Sequence, residues 1–214
     1  MAAVVTARFE ERQTGHAEAL MPMIRDVMAE AKATFAGLDR IVVTAGPGTF
    51  TGVRVGVAAG RAIALVNRTP VAGISSLQLL AAQARHTLSA EPLDGHVLAV
   101  VVDARRGQFY AQMFAGDGSR FGHPRLLSAD AAALMHPELH MVAVGSGAAA
   151  VADAGKLHGR EVRALLPRLQ PDARFLPAVF CGPAQPAWPL QPLYLRPPDA
   201  KSQTGKSLPH APSR

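Results

Sequence analysis

The segment Gly46-Pro47-Gly48-Thr49-Phe50-Thr51-Gly52 joins an apolar run to a helical one. At such a junction, free backbone N–H groups and the helix dipole favour an anion. Gly46, Gly48, Thr49 and Thr51 are therefore the candidate contacts for a phosphate. Against that reading, the loop lacks the lysine of a Walker motif and Pro47 removes one amide donor. Thr49 or Thr51 serves equally well as a helix cap with Phe50 turned into the core. Both readings stand on residue types alone.

Other residues offer less. Asp103 ends an apolar strand beside Arg105 and Arg106, where a carboxylate can hold a metal or polarise water; an ion pair across its own hairpin is the plainer reading. His136 and His140 have a metal-ligand spacing only if the segment is helical, and Pro137 argues for a surface loop. His16 has no partner histidine in its own helix. Thr204-Gly205-Lys206-Ser207 copies the end of a P-loop, without the upstream glycine or a preceding strand. Cys181 has neither a disulfide partner nor an activating neighbour. These residues supply no nucleophile-base pair and no metal ligand set.

Gly52, Gly56, Gly60 and Ala64 recur every four residues, so they share one helix face stripped of side-chain bulk. Each interior glycine costs about 1 kcal/mol of helix propensity against alanine. Close approach of another backbone offsets that cost, either inside the same lobe or across a subunit boundary.

The elements that must position these groups follow from periodicity. Val4 to Phe9 reads as a strand, and Ala17 to Phe35 follow a helical period interrupted by Pro22, with Gly37 as the stop. A strand at Arg40–Ala45, a helix from about Gly52 to Val66, a strand at Val71–Gly73 and a Ser-capped helix after Ser76 complete a β-α-β-α-β-α pattern. After a polar break come the hairpin HVLAVVVDA/QFYAQMF, a helix at Ala129–Met135, a strand at Met141–Val144, the turn Gly145-Ser146-Gly147 and a helix near Ala148–Ala154. From Pro167 the chain is Pro-rich and reads as an extended strap. The expected organisation is an N-terminal lobe at 1–90, a C-terminal lobe with its strap at 91–198 and a disordered tail at 199–214.

At 214 residues and 49% hydrophobic content the chain is globular. Its apolar runs are too short to span a bilayer, and the charged start is unlike a signal peptide, so no membrane and a cytoplasmic location are expected. The net charge of +6 favours loose contact with a polyanion such as RNA.

The segment GPGTFTGVRVGVAAGRAIAL resembles the TsaB (YeaZ) family pattern G-P-G-[ST]-[FY]-T-G-[LV]-R-[IV]-G. GHAEALMPMI, GISSLQLLA, VVDARRGQFYAQMF and PLYLRPPDAK add to the likeness, which runs from about Thr14 to Lys201. The resemblance implies an α/β, actin-like ATPase or RNase H-like fold of two related lobes, in a protein that is not itself an enzyme. It implies pairing with a TsaD-like catalytic subunit that forms threonylcarbamoyladenosine beside the anticodon of tRNAs reading codons that begin with A. A TsaE-like ATPase joins the complex, tRNA is met indirectly, and a homodimer uses the same surface. The helices starting at His16 and Gly52 form that surface in the family. This points to His16, Leu20, Ile24, Gly52, Arg54, Gly56, Gly60 and Ala64, with the glycine face turned to the partner.

No cofactor of the chain's own is expected; ATP or ADP at the partner boundary is. TsaD-like relatives hold a metal with a His-x-x-x-His pair, but the second position here is Leu20, so no metal site is expected. Family members also begin with a strand and turn of the type Ile-Leu-Ala-Ile-Asp-Thr-Ser, and this sequence opens near the following strand. The first strand and phosphate loop are missing, so the expectation is a true start upstream of Met1. The rival reading is a stand-alone nucleotide-dependent kinase or ATPase of the same superfamily.

Overall fold

The computed structural model describes residues 6–12, 14–89, 95–180 and 189–196. Cys181, Pro183, Pro186, Pro197, Pro198 and the tail with its P-loop-like run lie outside them.

Among the described residues two sheets form the frame. In the first, β1 (Ile41–Thr44) pairs in parallel with β2 (Val71–Ile74). In the second, the order is β5-β4-β3-β6-β7, built from β3 (His96–Asp103), β4 (Gln108–Phe114), β5 (Arg120–Ser128), β6 (His140–Val144) and β7 (Val162–Leu165). Strands β3 to β5 form an antiparallel meander, while β6 and β7 run parallel to β3.

Among the described residues six α-helices accompany them: α1 (His16–Glu30), α2 (Phe50–Asn67), α3 (Ser76–Thr87), α4 (Ala129–Ala133), α5 (Ala148–Leu157) and α6 (Leu176–Phe180). Their starts follow from local chemistry. Thr49 Oγ1 accepts from the Gly52 amide at 3.2 Å, which caps α2. Ser75 and Gln78 make a reciprocal capping box on α3. Ser128 caps α4 in the same way as Thr49.

Helix α3 joins the sheets. Leu77, Leu80, Ala81 and Ala84 pack with Leu98, Val100, Phe114, Val142 and Val144 of the second sheet. On its other side, Leu79 packs with Ile74 of β2 and Val179 of α6. Burying each of these leucines contributes about 1.5–3 kcal/mol, so the helix is the main apolar weld between the halves. The far face of the second sheet is covered by α4 and α5, with Val101, Ala111 and Val151 fully buried.

Some expectations are corrected. Thr6–Phe9 is not a strand: it makes no sheet pairing, and Arg8 instead pairs with Glu30 of α1. Helix α1 starts at His16 and continues through Pro22, whose ring lies on the exposed side, and it ends at Glu30, short of Phe35. Strands β5 and β7 were not anticipated.

Candidate functional site

The loop after β1 is sewn into the fold. The Gly46 carbonyl accepts from the Ser76 amide at 2.9 Å, and Ser76 Oγ donates to the Pro47 carbonyl. The Ala45 carbonyl accepts from the Leu193 amide at 2.7 Å. Gly46 has φ +104°, and a Cβ there would sit 3.0 Å from the Leu193 carbonyl oxygen, so this turn requires glycine. Thr49 is spent on the cap. Thr51 lies on the exposed first turn of α2.

Pro47, Gly48 and Thr49 line one wall of a cleft of about 460 Å³ between the two sheets. Asp103, Arg105, Tyr110 and Ser146 line the opposite wall, while Glu10, Glu11, Arg12 and His16 lie at its rim. The second wall is set by close packing. A Cβ on Gly147 would stand 2.5 Å from Phe109 Cδ1, so α5 begins hard against the sheet and Ser146 Oγ accepts from the Asp103 amide at 2.9 Å. Asp103 does not bridge its hairpin ionically: its Oδ1 accepts from the Arg105 amide at 2.8 Å, an Asx turn that closes the chain tip. At the rim, Arg12 Nη2 donates to Glu10 Oε1 at 2.6 Å, and this bond raises the Arg12 guanidinium above its ordinary value. The lining thus sets three carboxylates (Glu10, Glu11, Asp103) against two guanidiniums (Arg12, Arg105). That balance suits a bare polyphosphate poorly.

The glycine ladder is resolved in favour of packing within the lobe. A Cβ on Gly60 would lie 2.5 Å from Val43 Cγ2 and 3.4 Å from Leu190 Cδ2, and one on Gly56 would lie 3.6 Å from Val43 Cγ1. Gly60 and Ala64 are buried. The expectation that this face meets another subunit is therefore corrected: β1 and Leu190 already occupy it. The outward stripe of α2 is Arg54, Ala58, Arg61, Ala62 and Leu65.

Helix α1 lies against α2 and buries no residue completely. Leu20 and Ile24 are half-buried, Met21 is 46% exposed, and at the end of α2 Leu65 and Val66 are 81% and 80% exposed. His16 is exposed at the cleft rim. The histidine pair is not brought together, since His136 packs edge-on to Phe121 and His140 faces His96. Among the described residues no three His, Cys, Asp or Glu side chains cluster as metal ligands, and no helix is long and apolar enough to cross a membrane.

The strap at 189–196 was legible only as an extended segment. Arg61 Nε and Nη2 donate to the Leu190 carbonyl at 3.1 and 2.6 Å, and Arg54 Nε donates to Tyr194 Oη at 2.9 Å. Arg196 Nη2 donates to the Arg105 carbonyl at 3.1 Å and to Gln108 Oε1 at 2.9 Å. These contacts tie α2 to the tip of the β3–β4 hairpin. No spacing signal in the sequence reveals contacts between such distant residues.

Comparison with known proteins gives this geometry a family. A family model described as "TsaD: tRNA N6-adenosine threonylcarbamoyltransferase" matches residues 9–132. The tRNA threonylcarbamoyladenosine biosynthesis protein TsaB of Escherichia coli is 28% identical over 90% of this chain and 85% of that protein. The structure of YeaZ from Pseudomonas aeruginosa superposes with a TM-score of 0.62 at 26% identity, covering 77% of this chain and 75% of that one. The chain belongs to the TsaB family, also called YeaZ. An uncharacterised protein of Mycobacterium bovis, 37% identical over 87% of this chain and 77% of its own length, is a further relative.

As in the YeaZ structures, the fold is of the actin-like, RNase H-like type. For a TsaB-family chain, the two places of interest are accordingly the cleft between the sheets and the outer face of α1 and α2. Of the eight residues expected at the partner surface, Arg54 and His16 are exposed and Leu20 and Ile24 are half-buried; Gly52 sits beneath the Thr49 cap, with 2.8 Å between the position of its absent Cβ and Thr49 Oγ1.

Proposed function

We propose that the chain is the non-catalytic partner of a TsaD-type transferase and holds that enzyme in an active arrangement while threonylcarbamoyladenosine is formed in tRNA. The observation that carries this reading is α1. Its 15 residues include Leu20, Met21, Met23, Ile24, Val27 and Met28, yet none is fully buried. An amphipathic helix whose apolar side stays half-open, on a neighbouring helix α2 that itself leaves Leu65 and Val66 exposed, has the character of an interface awaiting its second half. A second copy of the chain uses the same face when the transferase is absent. The wider reading, supported by the family resemblance, adds a TsaE-like ATPase, indirect contact with tRNA and a cytoplasmic setting. ATP or ADP at the partner boundary also belongs to it, since the cleft's own lining leans acidic.

The test is reconstitution. The transferase of the same organism, its ATPase and the threonylcarbamoyl-adenylate donor are assayed on tRNA with and without this chain. Stimulation that saturates at one chain per transferase supports the reading; a transferase fully active alone, with no complex on sizing, overturns it. The stand-alone kinase or ATPase reading is favoured only by the existence of the cleft. Calorimetry of the isolated chain with ATP decides it, tight binding with turnover being the outcome in its favour.

A further inference from the structure

Arg54 is exposed on the first outward turn of α2, but its side chain is held on two sides. The guanidinium carbon lies 3.6 Å from the centroid of the Phe50 ring and 5.9 Å from that of Tyr194. Its Nε donates to Tyr194 Oη at 2.9 Å. The two rings stack at 5.5 Å with an interplanar angle of 29°, and both stay open to solvent, Phe50 at 55% and Tyr194 at 46%. Three side chains, one of them 140 residues away in sequence, are thus ordered on the surface rather than in the core. Fixing a side chain as flexible as arginine opposes folding, and no carboxylate among the described residues pairs with it to offset that cost. The Nη1 and Nη2 edge of the guanidinium makes no hydrogen bond within the described structure.

We infer that Arg54 is a pre-organised anchor for one carboxylate on the surface of the transferase partner; this rests on the reading of the α1–α2 face given above. The free edge of a fixed guanidinium matches a carboxylate with two parallel hydrogen bonds. An arginine beside two exposed aromatics has the composition of an interface hot spot. A carboxylate suits this site because Arg54 offers one open two-nitrogen edge, whereas among the described residues Arg61 already spends Nε and Nη2 on the Leu190 carbonyl and the Gly52 amide is taken by Thr49. Helix α2 contains no Asp or Glu, so nothing on its own face competes. Tyr194 is a positioning residue that sets the plane of the fork through Nε.

The experiment is titration calorimetry of the full chain against the TsaD-type transferase at low and high salt. Arg54→Gln is expected to weaken binding about 30-fold or more. Arg54→Lys keeps the charge but loses the fork, and should lose about 10-fold. Tyr194→Phe should lose about 3-fold, and wild-type affinity should fall with salt. An Asp→Asn and Glu→Gln scan of the transferase should find one position whose effect vanishes in the Arg54→Gln background.

Wild-type affinity in Arg54→Gln or in Arg54→Lys overturns the inference, as does a scan in which no acid couples. Competition by inorganic phosphate with a silent scan overturns it in favour of another anion. Loss of self-association in Arg54→Gln without weaker transferase binding overturns it in favour of a second copy. Leu65→Asp separates the partner surface from the Arg54 anchor. If it abolishes binding while Arg54→Gln does not, the partner surface stands and the anchor falls; if the wild type binds no transferase, both fall.

Discussion

Gly60 of α2 and Val43 of β1 pack so closely that a Cβ on the glycine would sit 2.5 Å from Val43 Cγ2. Helix and strand meet there through backbone against side chain, and the four-residue ladder serves that contact. Gly60→Ala is therefore expected to destabilise the protein by about 1–3 kcal/mol through overpacking. Gly56→Ala has 3.6 Å to its nearest neighbour and should gain about 0.5–1 kcal/mol of helix propensity. Chemical denaturation of the two variants, measured side by side, checks the opposite signs.

Leu65 and Val66, at the exposed end of α2, should behave differently from the glycines. Leu65→Asp is expected to change stability by about 0.5 kcal/mol or less. The same variant should weaken the complex with the transferase more than about 10-fold. A melting curve and a binding isotherm on the same preparation test both halves.

Arg160 closes the end of α4 and the turn that follows. Its Nη1 donates to the carbonyls of Ala133 and, at 3.0 Å, Met135, while Nη2 donates to those of His136 at 2.8 Å and Leu139 at 2.7 Å. Arg160→Met leaves these acceptors without their donor and should cost about 2 kcal/mol or more. Arg160→Lys, with one ammonium in place of a fork, should recover only part of that. Thermal unfolding followed by circular dichroism ranks the three proteins.

Asp172 carries a pH dependence. Its carboxylate, with 10% of the side chain exposed, accepts from Arg174 Nη2 at 2.6 Å and from the Arg174 amide at 2.9 Å. The side-chain hydrogen bond from Arg174 lowers its proton affinity below the ordinary carboxylate value. A depressed value in the folded state gives stability that is present above the unfolded value of about 3.9 and lost as pH falls through the folded one. Asp172→Asn should thus flatten the acid limb of a stability profile below about pH 4 while also destabilising the protein near neutrality. An unchanged acid limb contradicts the assignment.

Much of the frame was legible in the sequence because it rests on local chemistry. Thr49, the serine cap before Leu77 and the paired apolar runs HVLAVVVDA and QFYAQMF announce α2, α3 and the β3–β4 hairpin without tertiary information. Strand β5 was hidden by Gly122 and Pro124, both breakers by composition. It forms because β4 offers it a ladder, with an irregularity between Ala111 and Met113 that absorbs the mismatch. Strand β7, VRAL, has too little apolar character to be read alone and is specified by its place beside β6. The cleft loop was legible as a site but not as a clamped one, since its partners Ser76 and Leu193 are far away in sequence. The glycine face of α2 was misassigned for a simpler reason: the spacing of small residues shows that a face is tight, not which neighbour fills it.

The buried cluster of Ala45, Val57 and Leu190 is finished by a residue near the far end of the chain. On the ribosome, the groove between β1 and α2 therefore stays open until almost every other element has been made. Until Leu190 is made the β1–α2 face is open to chaperones and proteases, and a product cut short before it is marked as incomplete by its own unfilled groove.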